Sequence, residues 1–149
     1  MRLGIVSVPE GGLMGARQAF LANPLDVLAA KQLVGQEDAD ATALVVLIAL
    51  DAAKRGLAPV HLTNVLTEHL LTAAAVWSQM GNRKLYDVSV KAWRAQVKAC
   101  ARPTALLDFT TGEYAAIRLA ISHYVRALPV LEVGVLAAAH AKAMRELYG

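Results

Sequence analysis

The sequence has a single cysteine, few aromatic residues and few charged residues. Cys100 is the only thiol among the 149 residues, so no disulfide can form within the chain, as is typical of a reducing compartment. Aromatic residues make up 5% and charged residues 18% of the sequence, whereas charged residues make up about 25% of an average globular protein. A fold held together by internal disulfides is therefore excluded.

The sequence also lacks an apolar run long enough to span a membrane. The longest run, Ala43 to Leu50, is closed by Asp51, whereas a membrane span needs roughly 20 residues. The short apolar run after Arg2 stops at Pro9, and it does not continue into the longer apolar region of a signal peptide. We therefore expect no membrane span and a cytoplasmic location.

Motifs of catalysis and of cofactor binding are absent from the sequence. It contains no G-x-S-x-G, P-loop or G-x-G-x-x-G motif. Its four histidines form no H-x-x-x-H or H-E-x-x-H pair, and one cysteine is too few for a typical zinc site. His69 falls on an apolar stripe, which favours a hydrogen-bonded core histidine. We predict no catalytic residue, no cofactor and no metal site; an enzyme whose site is assembled across several helices remains an alternative.

Apolar residues are abundant instead. They make up 56% of the chain, against roughly 45–50% in an average globular protein. A chain of this length is about one domain, so we predict a single domain over residues 1–149. Because a monomer of this size has too much surface to hide all of this apolar material, we expect a homo-oligomer. The frequent alanine, valine, leucine and arginine are typical of a bacterial or phage gene.

Helical periodicity predicts an all-α, single-domain compact bundle. We expect a short extended N-terminal arm and a short helix within residues 1–22, and a helical core over 23–149. Five long helices are predicted at about 40–55, 63–80, 83–102, 111–127 and 130–147, and a shorter one at about 24–34.

Local signals mark several helix ends. Asn23 can cap a helix that begins at Pro24, and Gly81-Asn82 separates two long helices. Thr110 and Glu113 have the spacing of a capping box. The middle of the 40–55 helix, ALVVLIAL, is apolar on every side, which predicts the central helix of the core.

The segment 83–102 predicts an amphipathic helix with two distinct faces. One face carries an apolar stripe, and we expect Trp93 and Val97 to be packed and Cys100 to be a buried small hydrophobe. The members of this stripe are Tyr86, Val90, Trp93, Val97 and Cys100.

The opposite face of this helix is cationic and is the candidate binding surface for an anionic partner. Residues 1–82 contain five Lys or Arg against seven Asp or Glu, whereas residues 83–149 contain ten against five. An ordinary solvated face is the alternative, because Asp87 can pair with Lys91 one turn later. The cationic residues are Lys84, Lys91, Arg94, Lys98 and Arg102.

Two functions fit this surface. The first is a small non-catalytic interaction protein, such as an adaptor, inhibitor or accessory regulator, that acts through helix faces and self-associates. The second is a nucleic-acid-binding regulator that contacts the phosphate backbone through the basic face of helix 83–102. Base readout is not expected, since the stripe has essentially no interleaved Asn, Gln or Ser to address base edges. An acidic protein and a nucleic acid are thus both candidate partners.

Overall fold

A computed structural model describes residues 24–103 and 108–149, and these residues form an all-α fold, as predicted. The helices are α1 (Pro24–Lys31), α2 (Gln36–Lys54), α3 (Val60–Gln79), α4 (Arg83–Cys100), α5 (Thr111–Ala127) and α6 (Val133–Tyr148). A short 3-10 helix, Leu128–Val130, joins α5 to α6. In this part of the chain there is no β-strand, although an isolated bridge joins Leu33 to Glu132. The predicted arm and short helix of residues 1–22, and the predicted cap Asn23, lie outside the described residues.

Several helix ends follow the local signals of the sequence. The Thr110 hydroxyl accepts a hydrogen bond from the N–H of Glu113 (3.2 Å), and the N–H of Thr110 donates to the Glu113 carboxylate (2.9 Å). The predicted capping box is therefore confirmed. Asn82 caps α4 by accepting a hydrogen bond from the N–H of Leu85 (3.1 Å). Gly81, with φ +69°, takes the left-handed conformation that follows the end of α3.

The central helix is α3 and not α2, so the prediction for helix 40–55 was wrong. α3 packs against α2, α4, α5 and α6, and every side chain from Thr72 to Trp77 is buried. The run Ala73–Ala75 lets neighbouring helices approach α3 closely on several sides. By contrast, α2 packs through one face and exposes large apolar residues on the other: Leu44, Val45, Leu47 and Ile48.

The described residues contain two hydrophobic core clusters, which α3 connects. The first lies among α2, α3, α4 and α5 and contains the fully buried Leu66, Leu70 and Ile117. The second lies among α3, α5, the 3-10 helix and α6 and is built around Trp77 and Tyr124. Full burial of a leucine or isoleucine stabilises a fold by roughly 1.5–3 kcal/mol, so these side chains hold the four-helix centre together.

Backbone hydrogen bonds tie the loop after α1 to the loop before α6. The N–H of Val34 donates to the carbonyl of Leu131 (2.8 Å), and the N–H of Val133 donates to the carbonyl of Gln32 (2.7 Å). These bonds satisfy loop groups that neither helix can satisfy and hold α1 beside the first turn of α6.

Candidate functional site

The cationic helix α4 lies between α3 and α5, and small side chains make its contact with them. Ser89, Ala92, Gln96 and Ala99 are the buried residues of α4. Three of these four side chains are small, which allows the helix backbones to approach closely. Gln96 is anchored across the interface, where its Nε2 donates to the carbonyl of Thr63 (3.2 Å).

The buried face of α4 is rotated by roughly a quarter turn from the predicted apolar stripe. Val97 is 44% exposed, so its predicted packing was wrong. Trp93 is partly buried and packs against the first core cluster, and Tyr86 is partly buried against the second. The larger apolar residues of α4 therefore lie at the edge of the core, because small side chains and Gln96 fill the space between α3 and α4.

Cys100 is exposed at the end of α4, so the prediction of a buried small hydrophobe was also wrong. Cys100 belongs to the predicted apolar stripe, which lies about a quarter turn away from the buried face of α4, so its side chain lies outside the contact between the helices. Partial burial nevertheless raises the pKa of the thiol, and the nearby Arg102 partly offsets this effect.

Four of the five predicted cationic residues form an exposed group on the outer side of α4. Lys84, Lys91, Arg94 and Lys98 are all exposed, and none of them forms an ion pair with another described residue. Lys84, Lys91 and Lys98 recur every seventh residue and therefore follow one line along the helix, spaced by roughly 10 Å. The acid Asp87 on this side pairs instead with Arg83 (3.3 Å).

Arg102 does not belong to this exposed group, and this part of the predicted site was wrong. Its guanidinium forms a two-pronged ion pair with the Glu113 carboxylate, with N–O distances of 2.8 and 2.5 Å, and also donates to the carbonyl of Asp108. The hydrogen bond from Arg102 lowers the pKa of Glu113 to about 2, and the same bond raises the pKa of Arg102. Arg102 lies beyond the last turn of α4, so it turns towards the first turn of α5.

A groove that the sequence did not reveal runs beside the cationic group, between α4 and the C-terminal ends of α3 and α6. Two adjoining depressions of about 450 and 250 Å³ form it, and a third of about 510 Å³ continues along the surface of α4 itself. Tyr86 lines all three. Val90 and Arg94 each line two of them, while Trp93 lines the one that reaches α6. The exposed edge of the predicted apolar stripe thus forms one wall of the groove.

The far wall of the groove adds charged groups from α6. Lys142 and Glu146 line the same depression as Arg94. At the other end, Arg83 lies over the ring of Tyr86, with 5.8 Å from the guanidinium carbon to the ring centroid. Lys142 could not be assigned from the sequence, because nothing in the local pattern of α6 shows which turn of α4 it faces.

His69 occupies a second polar position, partly buried on α3. Its Nδ1 shares a hydrogen bond of 3.2 Å with the hydroxyl of Tyr124, which confirms the interpretation of a hydrogen-bonded core histidine. Burial lowers the pKa of His69 to about 4, with a further lowering from His140. Burial also raises the pKa of Tyr124. At neutral pH the pair is therefore uncharged.

Residues 24–103 and 108–149 contain no group of three or more His, Cys, Asp or Glu side chains placed to hold a metal ion. None of the helices within these ranges is both long and apolar enough to cross a membrane. Comparison with known proteins shows that no protein-family model, no curated protein and no solved structure matches the chain.

Proposed function

We propose that the protein is a small non-catalytic interaction protein that binds an acidic, amphipathic segment of a protein partner in the groove beside α4, and that it also self-associates. One observation carries the binding proposal. The apolar side chains of Tyr86, Val90 and Trp93, which form the floor of the groove, lie beside charged side chains that form its rim, and most of these are cationic. A segment that presents apolar side chains on one face and carboxylates beside them has the complementary chemistry.

The floor and the rim meet at Arg94. Its exposed side chain lines two of the three depressions, and Trp93 and Val90 lie beside it. Lys142 faces the same depression from α6. A carboxylate held there can accept hydrogen bonds from the Arg94 guanidinium while an apolar neighbour covers the Trp93 ring.

The charge balance around the groove favours an acidic partner. Of the two described acids that line it, Asp87 is paired with Arg83. Glu146 is the other, and it lies in the depression that also contains Arg94 and Lys142. The rim is therefore net cationic, and like-charged basic segments are disfavoured there.

Binding to a nucleic-acid backbone is the second candidate function, and the line of Lys84, Lys91 and Lys98 favours it. These side chains are exposed and no described acid neutralises them. A phosphate backbone along this line would release counterions, so its affinity would fall steeply with salt. It would use the outer side of α4 and leave the apolar floor of the groove uncovered.

Fluorescence titrations at low and at physiological salt test both functions. The probes are an amphipathic Leu/Glu peptide and a short mixed-sequence DNA duplex, and the reporter is the tryptophan emission, since Trp93 lines the groove. We expect the peptide to bind and Arg94→Glu to weaken it by at least about tenfold. Arg118→Glu, the same charge change at an exposed site on α5, is the matched control.

The outcomes separate the two functions. Absence of peptide binding at low salt, or equal loss with Arg94→Glu and Arg118→Glu, would contradict the groove proposal. Duplex binding that is lost with the double change Lys84→Glu and Lys98→Glu, together with no peptide binding, would assign the surface to a nucleic-acid backbone.

A further inference from the structure

The outer face of α2 carries the largest group of neighbouring exposed apolar side chains in one described helix. Leu44 is 61% exposed and Ile48 52%, and Val45 and Leu47 flank them at 49% and 46%. Contiguous apolar surface of this kind on a folded domain marks an interaction site.

The exposed residues of this face follow a heptad seam. Six exposed positions alternate between spacings of four and three residues, which is the repeat of helices that pair along their length. The apolar positions occupy the middle of the seam and the charged positions its two ends. In order, these residues are Glu37, Ala41, Leu44, Ile48, Asp51 and Arg55.

We propose that a second copy of the chain covers this face through an antiparallel α2–α2 pair. The inference rests on the self-association part of the proposed function and is independent of the groove. The two-fold axis passes between the two helices at the height of Val46. It places Leu44 against Ile48 of the second copy, and Ile48 against Leu44 of the second copy. Val45 and Leu47 each lie next to their own copies on the two flanks.

Charge complementarity selects this occupant and this orientation. In the antiparallel register, Glu37 lies opposite Arg55 of the second copy, and Asp40 lies beside Lys54 of the second copy. The reciprocal contacts place both pairs at each end of the apolar centre. A parallel pair would instead place Glu37 against Glu37 and Arg55 against Arg55, which is repulsive.

Contacts within one chain leave these charges available. Asp51 pairs with Arg55 at 3.2 Å, with both side chains more than half exposed, so Arg55 can share its guanidinium between Asp51 and Glu37 of the second copy. Lys54 lies over the Tyr114 ring at 5.6 Å from the centroid, which holds it on one flank of the seam. Glu37 forms no ion pair with any other described residue.

The experiment measures the oligomeric state of the full chain by sedimentation over a wide concentration range. We expect a monomer–dimer equilibrium. Ile48→Asp weakens dimerisation by at least about tenfold, whereas Leu119→Asp, at a half-exposed apolar site on α5, does not. Circular dichroism checks that each variant keeps its helices, since all the changed side chains are exposed.

Charge reversal tests the register. Glu37→Arg and Arg55→Glu each place like charges across the interface and weaken the dimer by roughly three- to tenfold. The double variant with both changes restores the opposite charges and recovers the affinity. Absence of this recovery overturns the proposed register.

Crosslinking tests the orientation, in a Cys100→Ser background that removes the exposed native thiol. In the antiparallel pair, Val45 and its copy are offset by about 3 Å along the helix axis, whereas Ala41 and its copy are offset by about 15 Å. A short bis-maleimide therefore links Val45→Cys chains and not Ala41→Cys chains. Equal crosslinking of both variants would overturn the antiparallel arrangement.

Two further outcomes overturn the proposal itself. A dimer that survives Ile48→Asp uses another surface. A monomer at every concentration also overturns the proposal. If the thiol introduced by Val45→Cys is then shielded from a maleimide, the face is covered by another segment of the same chain. Neither result changes the binding of the acidic peptide, so the proposal for the groove is judged separately.

Discussion

Both terminal nitrogens of the Arg102 guanidinium donate hydrogen bonds to the Glu113 carboxylate. The same carboxylate accepts a hydrogen bond from the N–H of Thr110 and so completes the capping box of α5. The Glu113 side chain is only 10% exposed and that of Arg102 31%. One ion pair therefore links the end of α4 to the start of α5. This use of Arg102 removes it from the binding surface and makes it part of the fold.

The Arg102–Glu113 pair predicts a specific loss of stability at low pH. Because the pKa of Glu113 is lowered from 4.5 to about 2, its contribution is present above pH 4.5 and is lost as the pH falls towards 2. Glu113→Gln keeps a capping acceptor but removes the charge. We expect it to lower the free energy of unfolding at pH 7 by about 1–2 kcal/mol and to flatten the pH dependence below 4.5 in urea titrations.

Asp87→Asn is the matched control for this prediction. Asp87 also pairs with an arginine, Arg83, but the two side chains are 62% and 86% exposed. An exposed pair of this kind contributes only about 0–1 kcal/mol. Equal effects of Asp87→Asn and Glu113→Gln would contradict the structural role given to the Arg102 contact.

Substitutions on α4 distinguish its buried face from its exposed apolar stripe. Ala92 is fully buried against its neighbours, whereas Val97 is 44% exposed. Ala92→Leu should lower the free energy of unfolding by about 1–3 kcal/mol, because the added atoms must separate packed helices. Val97→Ala should change it by less than about 1 kcal/mol. Thermal and urea unfolding followed by circular dichroism measure both, and the reverse order of effects would place the core on the other face.

His69 predicts a second pH dependence, in a higher range. Its pKa falls from 6.5 to about 4 on folding, so the unfolded chain binds the proton more tightly. The contribution of the neutral His69 to the free energy of unfolding is therefore fully present above pH 6.5, and it is lost as the pH falls from 6.5 to 4. His69→Gln should remove this part of the pH dependence. Urea titrations at several pH values between 4 and 7.5 measure it, and an unchanged slope in the variant would contradict the assignment to His69.

Cys100 should react with thiol reagents in the folded protein. The residue is exposed, so one equivalent should be modified in the absence of denaturant. Because its pKa lies above its ordinary value, the rate should still be rising at pH 9. Mass spectrometry and the absorbance of a chromogenic disulfide reagent follow the reaction. A thiol that reacts only after unfolding would restore the interpretation of Cys100 as a core residue.

Local features of the sequence determined where α4 and α5 begin, whereas α2, α3 and α6 begin about three or four residues away from their predicted starts. Thr110 and Glu113 form their capping box from groups three residues apart, and Asn82 caps α4 across the same spacing. The sequence also predicted that Lys84, Lys91, Arg94 and Lys98 share one face of α4, because the spacing of residues along a helix determines which side chains lie on the same face.

The tertiary structure alone decided which helix is central and which face of α4 is buried. Apolar content favoured α2 as the centre, yet α3 occupies that position, because the small side chains of Ala73–Ala75 allow helices to approach on several sides. For the same reason, the face of α4 that carries the small side chain of Ala92 packs in the core, and Val97 lies at the surface. Burial depends on the volume and shape of the neighbours, which belong to distant parts of the chain. The groove beside α4, the ion pair between Arg102 and Glu113, and the exposed face of α2 likewise depend on how distant parts of the chain pack together.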